Sequence, residues 1–167
     1  VVVRNGQFEF RDRPGVQVRF YGTNLVDTAQ FLDRQWSERL ADRMAKAGFN
    51  LVRIHHHDNG LSVRGNGTST ELNAENLDRL NWLIACFKKR GIYVVTDCYV
   101  SRTFAQEELK EWSSGDFKHL VFLKRSALEN WKRFTKNWFT AENPYTGLAL
   151  KDDPVLIAVN LVNEGYL

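Results

Sequence analysis

The chain has 167 residues, which fits one domain on the usual scale of about 100–200 residues. Its 43% hydrophobic and 26% charged content excludes a disordered chain, and 23 Lys+Arg against 20 Asp+Glu leave a net charge of only +3. There is no Lys/Arg block and no apolar run near the roughly 18 residues of a membrane span, so a soluble chain without nucleic-acid or membrane partners is expected.

The start, Val1-Val2-Val3-Arg4, has no Met and no charged stretch ahead of an apolar one, so no secretory leader is read and a true N-terminus lying upstream is expected. Arg4 to Arg13 has Phe8 and Phe10 flanking Glu9 and closes at Pro14-Gly15; this predicts a hairpin arm over residues 1–15. Val16, Val18 and Phe20 then alternate with Gln17 and Arg19, which predicts a first strand over Val16 to Leu25, ending at Gly22-Thr23-Asn24. A helix follows from Ser37, read as its N-cap, to Ala47, with Trp36, Leu40, Met44 and Ala47 on one side and Gly48 as its stop. Phe49 to Ile54 is the second strand, and Asp58 to Thr70 a polar loop.

Asn73 caps the next helix, which runs to Arg90 with Leu77, Leu80, Ile84 and Phe87 as its buried stripe. Lys88, Lys89 and Arg90 suit the negative end of its dipole, and Gly91 stops it. Ile92 to Thr96 is the third strand, an apolar run of the kind buried on both faces. Ser101 to Gly115 is a polar insertion holding Phe104 and Trp112. Ser126 to Thr140 is a helix with Leu128, Trp131, Phe134 and Trp138 on one stripe, and it ends before Asn143-Pro144. Val155 to Val162 is the fourth strand. Cys86 and Cys98 form no CxxC or zinc pattern and read as two buried free thiols.

The order β-α-β-α-β-α-β implies a parallel α/β sheet with right-handed crossovers. Both a doubly wound sheet and a (β/α)8 barrel satisfy it. The first strand-to-helix turn, Gly22-Thr23-Asn24-Leu25, carries neither GxGxxG nor GxxxxGK[ST], so the nucleotide-binding readings lose their main support. A barrel places chemistry at the C-terminal ends of its strands. Those ends hold the polar clusters: Arg53-Ile54-His55-His56-His57-Asp58, Thr96-Asp97-Cys98-Tyr99 and Asn160-Leu161-Val162-Asn163-Glu164.

Counting back from Glu164 in steps of two gives Val162, Asn160, Ala158 and Leu156 on one strand face. Leu161, Val159, Ile157 and Val155 form the other, an apolar face fit to lie beneath helices. Glu164 is thus expected to point to the barrel mouth, where partial desolvation would keep a carboxyl protonated as a general acid. Asn163 could bind a sugar hydroxyl. Arg53, flanked by Val52 and Ile54, needs a carboxylate or a wet mouth, and is read either as a clamp on a functional carboxylate or as an internal ion pair. His55 and His57 alternate as metal ligands can, with only His119 and carboxylates such as Asp97 to complete a set. A polar substrate rim built with His55 and His56 is the preferred reading, with no metal and no cofactor.

Taken together these stretches resemble the N-terminal half of a clan-A glycoside hydrolase of the cellulase-type family 5. The matching segments are Phe20 to Leu25, Gly48 to Asp58, Leu77 to Leu80 running on to Lys89 to Val94, and Asn143 to Gly147 running on to Val162-Asn163-Glu164. The resemblance covers residues 16–167, read as the first half of a barrel, about four βα units ending after strand 4. It implies a retaining hydrolase of β-linked glycans, with two carboxyl groups roughly 5–5.5 Å apart. Glu164 would be its acid/base, Asn163 would contact the sugar 2-hydroxyl, and Arg53 would hold the nucleophile ionised. The family's nucleophile is a Glu on strand 7, beyond the four strands read here.

The family commonly has a His two positions after the strand-3 Asp, where this chain has Tyr99, a residue that can stack on or hydrogen-bond a sugar. Trp112 and Tyr99 suit gluco- and manno-configured chains alike. A secreted or periplasmic location is implied. Two alternatives stand beside this reading: a non-catalytic half-barrel that self-associates or pairs with a complementary C-terminal half, and a metal-dependent barrel hydrolase using His55 and His57.

Overall fold

The computed structural model describes residues 1–63, 69–103, 106–109 and 117–165. Phe104 and Trp112 of the expected insertion lie outside the described residues. Alternation builds the central sheet. In β5 (Leu51–His55) and β6 (Tyr93–Asp97), Val52, Ile54, Val94 and Thr96 are fully enclosed, while Leu51, Arg53, His55, Tyr93 and Val95 are half-buried on the opposite face. With β4 (Gly22–Val26) and β9 (Leu156–Asn160) these strands form a parallel sheet in the order β4-β5-β6-β9.

That order has no reversal, so every right-handed crossover delivers its helix to the same face. Helices α1 (Arg34–Lys46), α3 (Ala74–Lys89) and α5 (Arg125–Thr140) supply Ala41 and Met44, Leu80 to Phe87, and Phe134 and Trp138 to one core against Val52, Ile54, Val94 and Val155. A doubly wound sheet carries helices on both faces; this arrangement is of the barrel type. The other face is left to Arg53, His55, Asp97 and Asn160, and it is there that the polar strand ends gather.

Residues before Gly22 form a separate three-stranded meander of β1 (Val2–Arg4), β2 (Gln7–Phe10) and β3 (Arg13–Gln17). The Val16 alternation therefore belongs to the arm and not to the first sheet strand, which begins six residues later at Gly22. The arm runs beyond residue 15, because Pro14-Gly15 lies within β3 and not at a closing turn. Phe10 and Phe20 pack on Tyr93 with ring centroids 6.2 and 5.9 Å apart, seating the arm against the N-terminal end of β6.

Helix α1 starts three residues earlier than its predicted cap, since Asp33 accepts the Trp36 N–H at 2.9 Å while Ser37 is fully buried. Its buried line is Ser37, Ala41 and Met44, and Trp36 is half exposed. Asn73 caps α3 as expected, through the Asn76 N–H, and Gly48 and Gly91 take the left-handed stop positions at φ 85° and 70°. Two helices were not anticipated: α2 (Asp58–Leu61) in the polar loop and α4 (Phe117–Leu123) after the insertion, the latter carrying His119. A short antiparallel pair, β7 (Glu142–Asn143) and β8 (Leu148–Ala149), follows α5. Val159 shares the helix-side register of Thr96 yet is 37% exposed, and Leu161 is 61% exposed. The apolar cover expected there is absent among the described residues because β9 is the sheet edge.

Candidate active site

Parallel register decides which polar strand ends meet. Asp97 aligns with Asn160 across β6 and β9, and Arg53 and His55 lie on the same face of the adjacent β5. Asp97 is fully buried and is the hub. Arg53 donates to both its oxygens, Nη2 to Oδ1 at 2.5 Å and Nε to Oδ2 at 3.2 Å. His55 Nδ1 lies 2.9 Å from Oδ2, and Asn160 Nδ2 donates to Oδ1 at 2.8 Å. A carboxylate only accepts, so His55 carries its proton on Nδ1. Burial works to raise the Asp97 carboxyl, but the hydrogen bonds from Arg53, His55 and Asn160 and the Arg53 charge outweigh it and hold the group below its ordinary range.

Arg53 Nη2 also donates to Asn163 Oδ1 at 2.8 Å, while the Asn163 N–H is held by the Tyr99 carbonyl at 2.9 Å. The Asn163 amide is thereby fixed with its oxygen occupied, leaving Nδ2 as the donor for a ligand hydroxyl. Arg53 is thus an internal ion pair with Asp97 that also reaches Asn163, which is the structural one of its two readings.

Glu164 follows in a left-handed conformation, φ 51°, which breaks the strand alternation on which its inward direction was predicted. Its side chain is 74% exposed and its Oε2 accepts from Lys118 Nζ at 3.1 Å. The desolvation expected of it is not found in this structure. Tyr99 is not brought to the rim: it is 5% exposed, packs on Phe117 with centroids 4.6 Å apart, and donates its hydroxyl to the Arg102 carbonyl. It lies in a satellite core with Leu109, Leu120 and Ala127, because the chain turns inward after Asp97.

The three histidines part company. His55 serves Asp97. His56, at φ 56°, contacts Ser101 Oγ through Nδ1 at 3.1 Å. His57 is fully buried against Trp138, centroids 4.2 Å apart, and neither ring nitrogen has a well-formed hydrogen bond among the described residues. The His55–His57 alternation that suggested a ligand pair ends because β5 stops at His55 and the left-handed turn at His56 sends the next side chain into the core. Among the described residues no three His, Cys, Asp or Glu side chains gather as a metal site. Both cysteines are buried free thiols, and burial pushes Cys98 up to about 11.

Asp58 is the functional support that sequence reading passed over. Fully buried, it accepts from the backbone N–H groups of Val100, Ser101 and Arg102 and from the Ser101 hydroxyl, and so fixes the segment that follows β6. Asp97 and Asn160 were also undervalued. Their signal was available: a carboxylate and an amide end two adjacent strands on the face that holds a strand-interior Arg.

A family model described as Cellulase (glycosyl hydrolase family 5) matches residues 12–164. An endo-1,4-beta-mannanase from Rhizomucor miehei superposes with a TM-score of 0.71 at 17% identity, over 95% of this chain and 46% of that one. An endo-beta-1,4-mannanase from Thermotoga petrophila gives 0.66 at 18% identity, over 90% and 36%. A glycoside hydrolase family 5 mannosidase from Rhizomucor miehei gives 0.64 at 17% identity, over 92% and 46%. The chain spans less than half the length of these structures. No curated protein matches it at a significant level.

Proposed function

The chain belongs to the cellulase family, glycosyl hydrolase family 5, and from that premise we propose that it forms the N-terminal half-barrel of a retaining hydrolase of β-linked glycans. The observation that carries the reading is the Asp97-centred cluster, in which Arg53 is bonded both to Asp97 and to Asn163, the residue preceding Glu164. In the proposed mechanism Glu164 gives a proton to the departing glycosidic oxygen, then takes one from the water that attacks the glycosyl-enzyme. Asn163 Nδ2 donates to the sugar 2-hydroxyl. Arg53, His55 and Asp97 position that amide. The nucleophilic carboxylate is assigned to a seventh strand beyond the four parallel strands described here. The solved relatives that are mannanases and a mannosidase make β-mannan the first polysaccharide to test.

In a complete protein containing this chain, Glu164→Gln is expected to abolish hydrolysis of the natural polysaccharide. Aryl glycosides with good leaving groups need no proton donor and should still form the glycosyl-enzyme. Unchanged turnover of polysaccharide by this variant would remove Glu164 from the role.

A second reading, self-association or pairing with a complementary half, is favoured by one observation. The edge strand β9 and the neighbouring α4 leave Val159, Leu161, Phe122 and Leu123 exposed, between 37% and 68%. An open strand edge beside apolar surface is a template for another chain.

A further inference from the structure

Strand β9 ends at Asn160, yet the residues that follow it are held by side chains of α4 and α5. Trp131 Nε1 of α5 donates to the Leu161 carbonyl at 3.2 Å, and Val162 packs on the satellite core of Tyr99, Phe117 and Leu120. A Cβ on Gly165 would lie 3.1 Å from Val162 Cγ1 and 3.4 Å from Phe122 Cε2, so the chain passes close to α4 there. Lys118 and Phe122 stand one helical turn apart on α4 and share a face. Lys118 completes the grip, its Nζ donating to Glu164 Oε2 at 3.1 Å. Glu164 between these contacts has φ 51°, an uncommon state for a residue with a side chain, which persists where the surroundings impose it.

The two members of this ion pair are unlike. The Lys118 side chain is 16% exposed and that of Glu164 is 74% exposed. The cation is therefore the covered, fixed member. The carboxylate gives Oε2 to it and leaves Oε1 without a hydrogen-bond partner among the described residues, open to a substrate. The proposed reaction uses Glu164 in two forms: the neutral acid when the glycosidic oxygen departs, and the carboxylate when water attacks the glycosyl-enzyme. An ammonium group at this distance attracts the carboxylate and gains little from the neutral acid. Its presence thus favours the second step and does not favour the first. Plain bracing of the segment would serve both steps alike.

From this arrangement we propose that Lys118 is a positioning residue for the acid/base, holding Glu164 as the carboxylate that activates water and so speeding hydrolysis of the glycosyl-enzyme. This rests on the proposed hydrolase function, in which Glu164 is the acid/base.

Lys118→Met keeps the apolar stem of the side chain and removes its charge. It is tested in the complete protein on two kinds of substrate. With dinitrophenyl β-mannobioside or β-cellobioside the leaving group needs no proton, so a burst of dinitrophenol marks accumulated glycosyl-enzyme and kcat reads its hydrolysis. With unactivated manno- or cello-oligosaccharides kcat/KM reads the first step, in which Glu164 is the acid. An ion pair with one exposed member supports an effect of about two- to fivefold. Lys118→Met should lower kcat on the aryl glycosides by about that factor and leave kcat/KM on the oligosaccharides unchanged or higher. The ratio of the two parameters does not depend on the fraction of protein that is folded. Lys118→Arg, which keeps the charge, should restore the aryl-glycoside kcat. Equal losses on both kinds of substrate, a larger loss on the oligosaccharides, or no change on either overturns the proposal. In a Glu164→Gln background Lys118→Met should have no further effect, and an effect that persists there also overturns it. Failure of the hydrolase reading is seen separately, since Glu164→Gln with wild-type turnover of polysaccharide removes the acid/base assignment itself, whatever Lys118→Met does.

Discussion

His57 is the most constrained single residue. Burial pushes its pKa down to about 4, against the opposing pull of Asp58 and Asp97. The sign follows from proton counting. Between about pH 6.5 and pH 4 the unfolded chain binds a proton that the folded chain refuses, so folding loses stability as the pH falls through that window. The size is on the order of 3 kcal/mol at the acid end. His57→Phe, which keeps a ring against Trp138 and removes two buried nitrogens that make no well-formed hydrogen bond among the described residues, should raise stability at pH 7 and flatten the loss toward pH 4. Urea unfolding of both proteins at the two pH values tests this. Asp97 responds differently: its lowered carboxyl keeps its contribution until the pH drops below the ordinary Asp range.

Asp58 acts at the scale of elements. It opens α2 and through four donors ties down the backbone after β6, the stretch that carries Tyr99 and Ser101. Asp58→Ala leaves the buried N–H groups of Val100 and Arg102 without their acceptor at about 1–3 kcal/mol each, and the half-buried Ser101 N–H besides, so a loss of at least about 2 kcal/mol in the urea midpoint analysis is expected. Arg102, 1% exposed, continues the same bracing by donating to Ser69 and to Asn130 of α5. Sequence reading found α3 accurately because its cap, stripe and stop all agree. It misplaced the start of α1 because Asp33 and Ser37 are both good caps, and only packing, which buries Ser37, chooses between them.

At the scale of the whole molecule, the central sheet of the described residues is four-stranded and parallel, with helices on one face and two strand edges, β4 and β9. If the exposed apolar strip beside β9 drives association, the 167-residue polypeptide produced by itself should show a concentration-dependent mass in sedimentation equilibrium at micromolar concentration. Val159→Lys with Leu161→Lys should shift it toward the monomer. A wild-type chain that stays monomeric across that range counts against the second reading.

Local chemistry determined much of this protein. The α/β order, the helix stops at Gly48 and Gly91, the buried thiols and the collection of polar residues at strand ends are all written in periodicity and residue type, which act over a few neighbours. The single direction of the crossovers, which separates a barrel-type sheet from a doubly wound one, is a property of strand order and emerges only when the sheet assembles. The same holds for the site. Arg53, His55 and Asn163 could be proposed one by one, but their convergence on Asp97 depends on inter-strand register. The inward turn that buries Tyr99, the exposure of Glu164 and the separation of His55 from His57 depend on backbone turns at strand ends, where alternation no longer dictates which way a side chain faces.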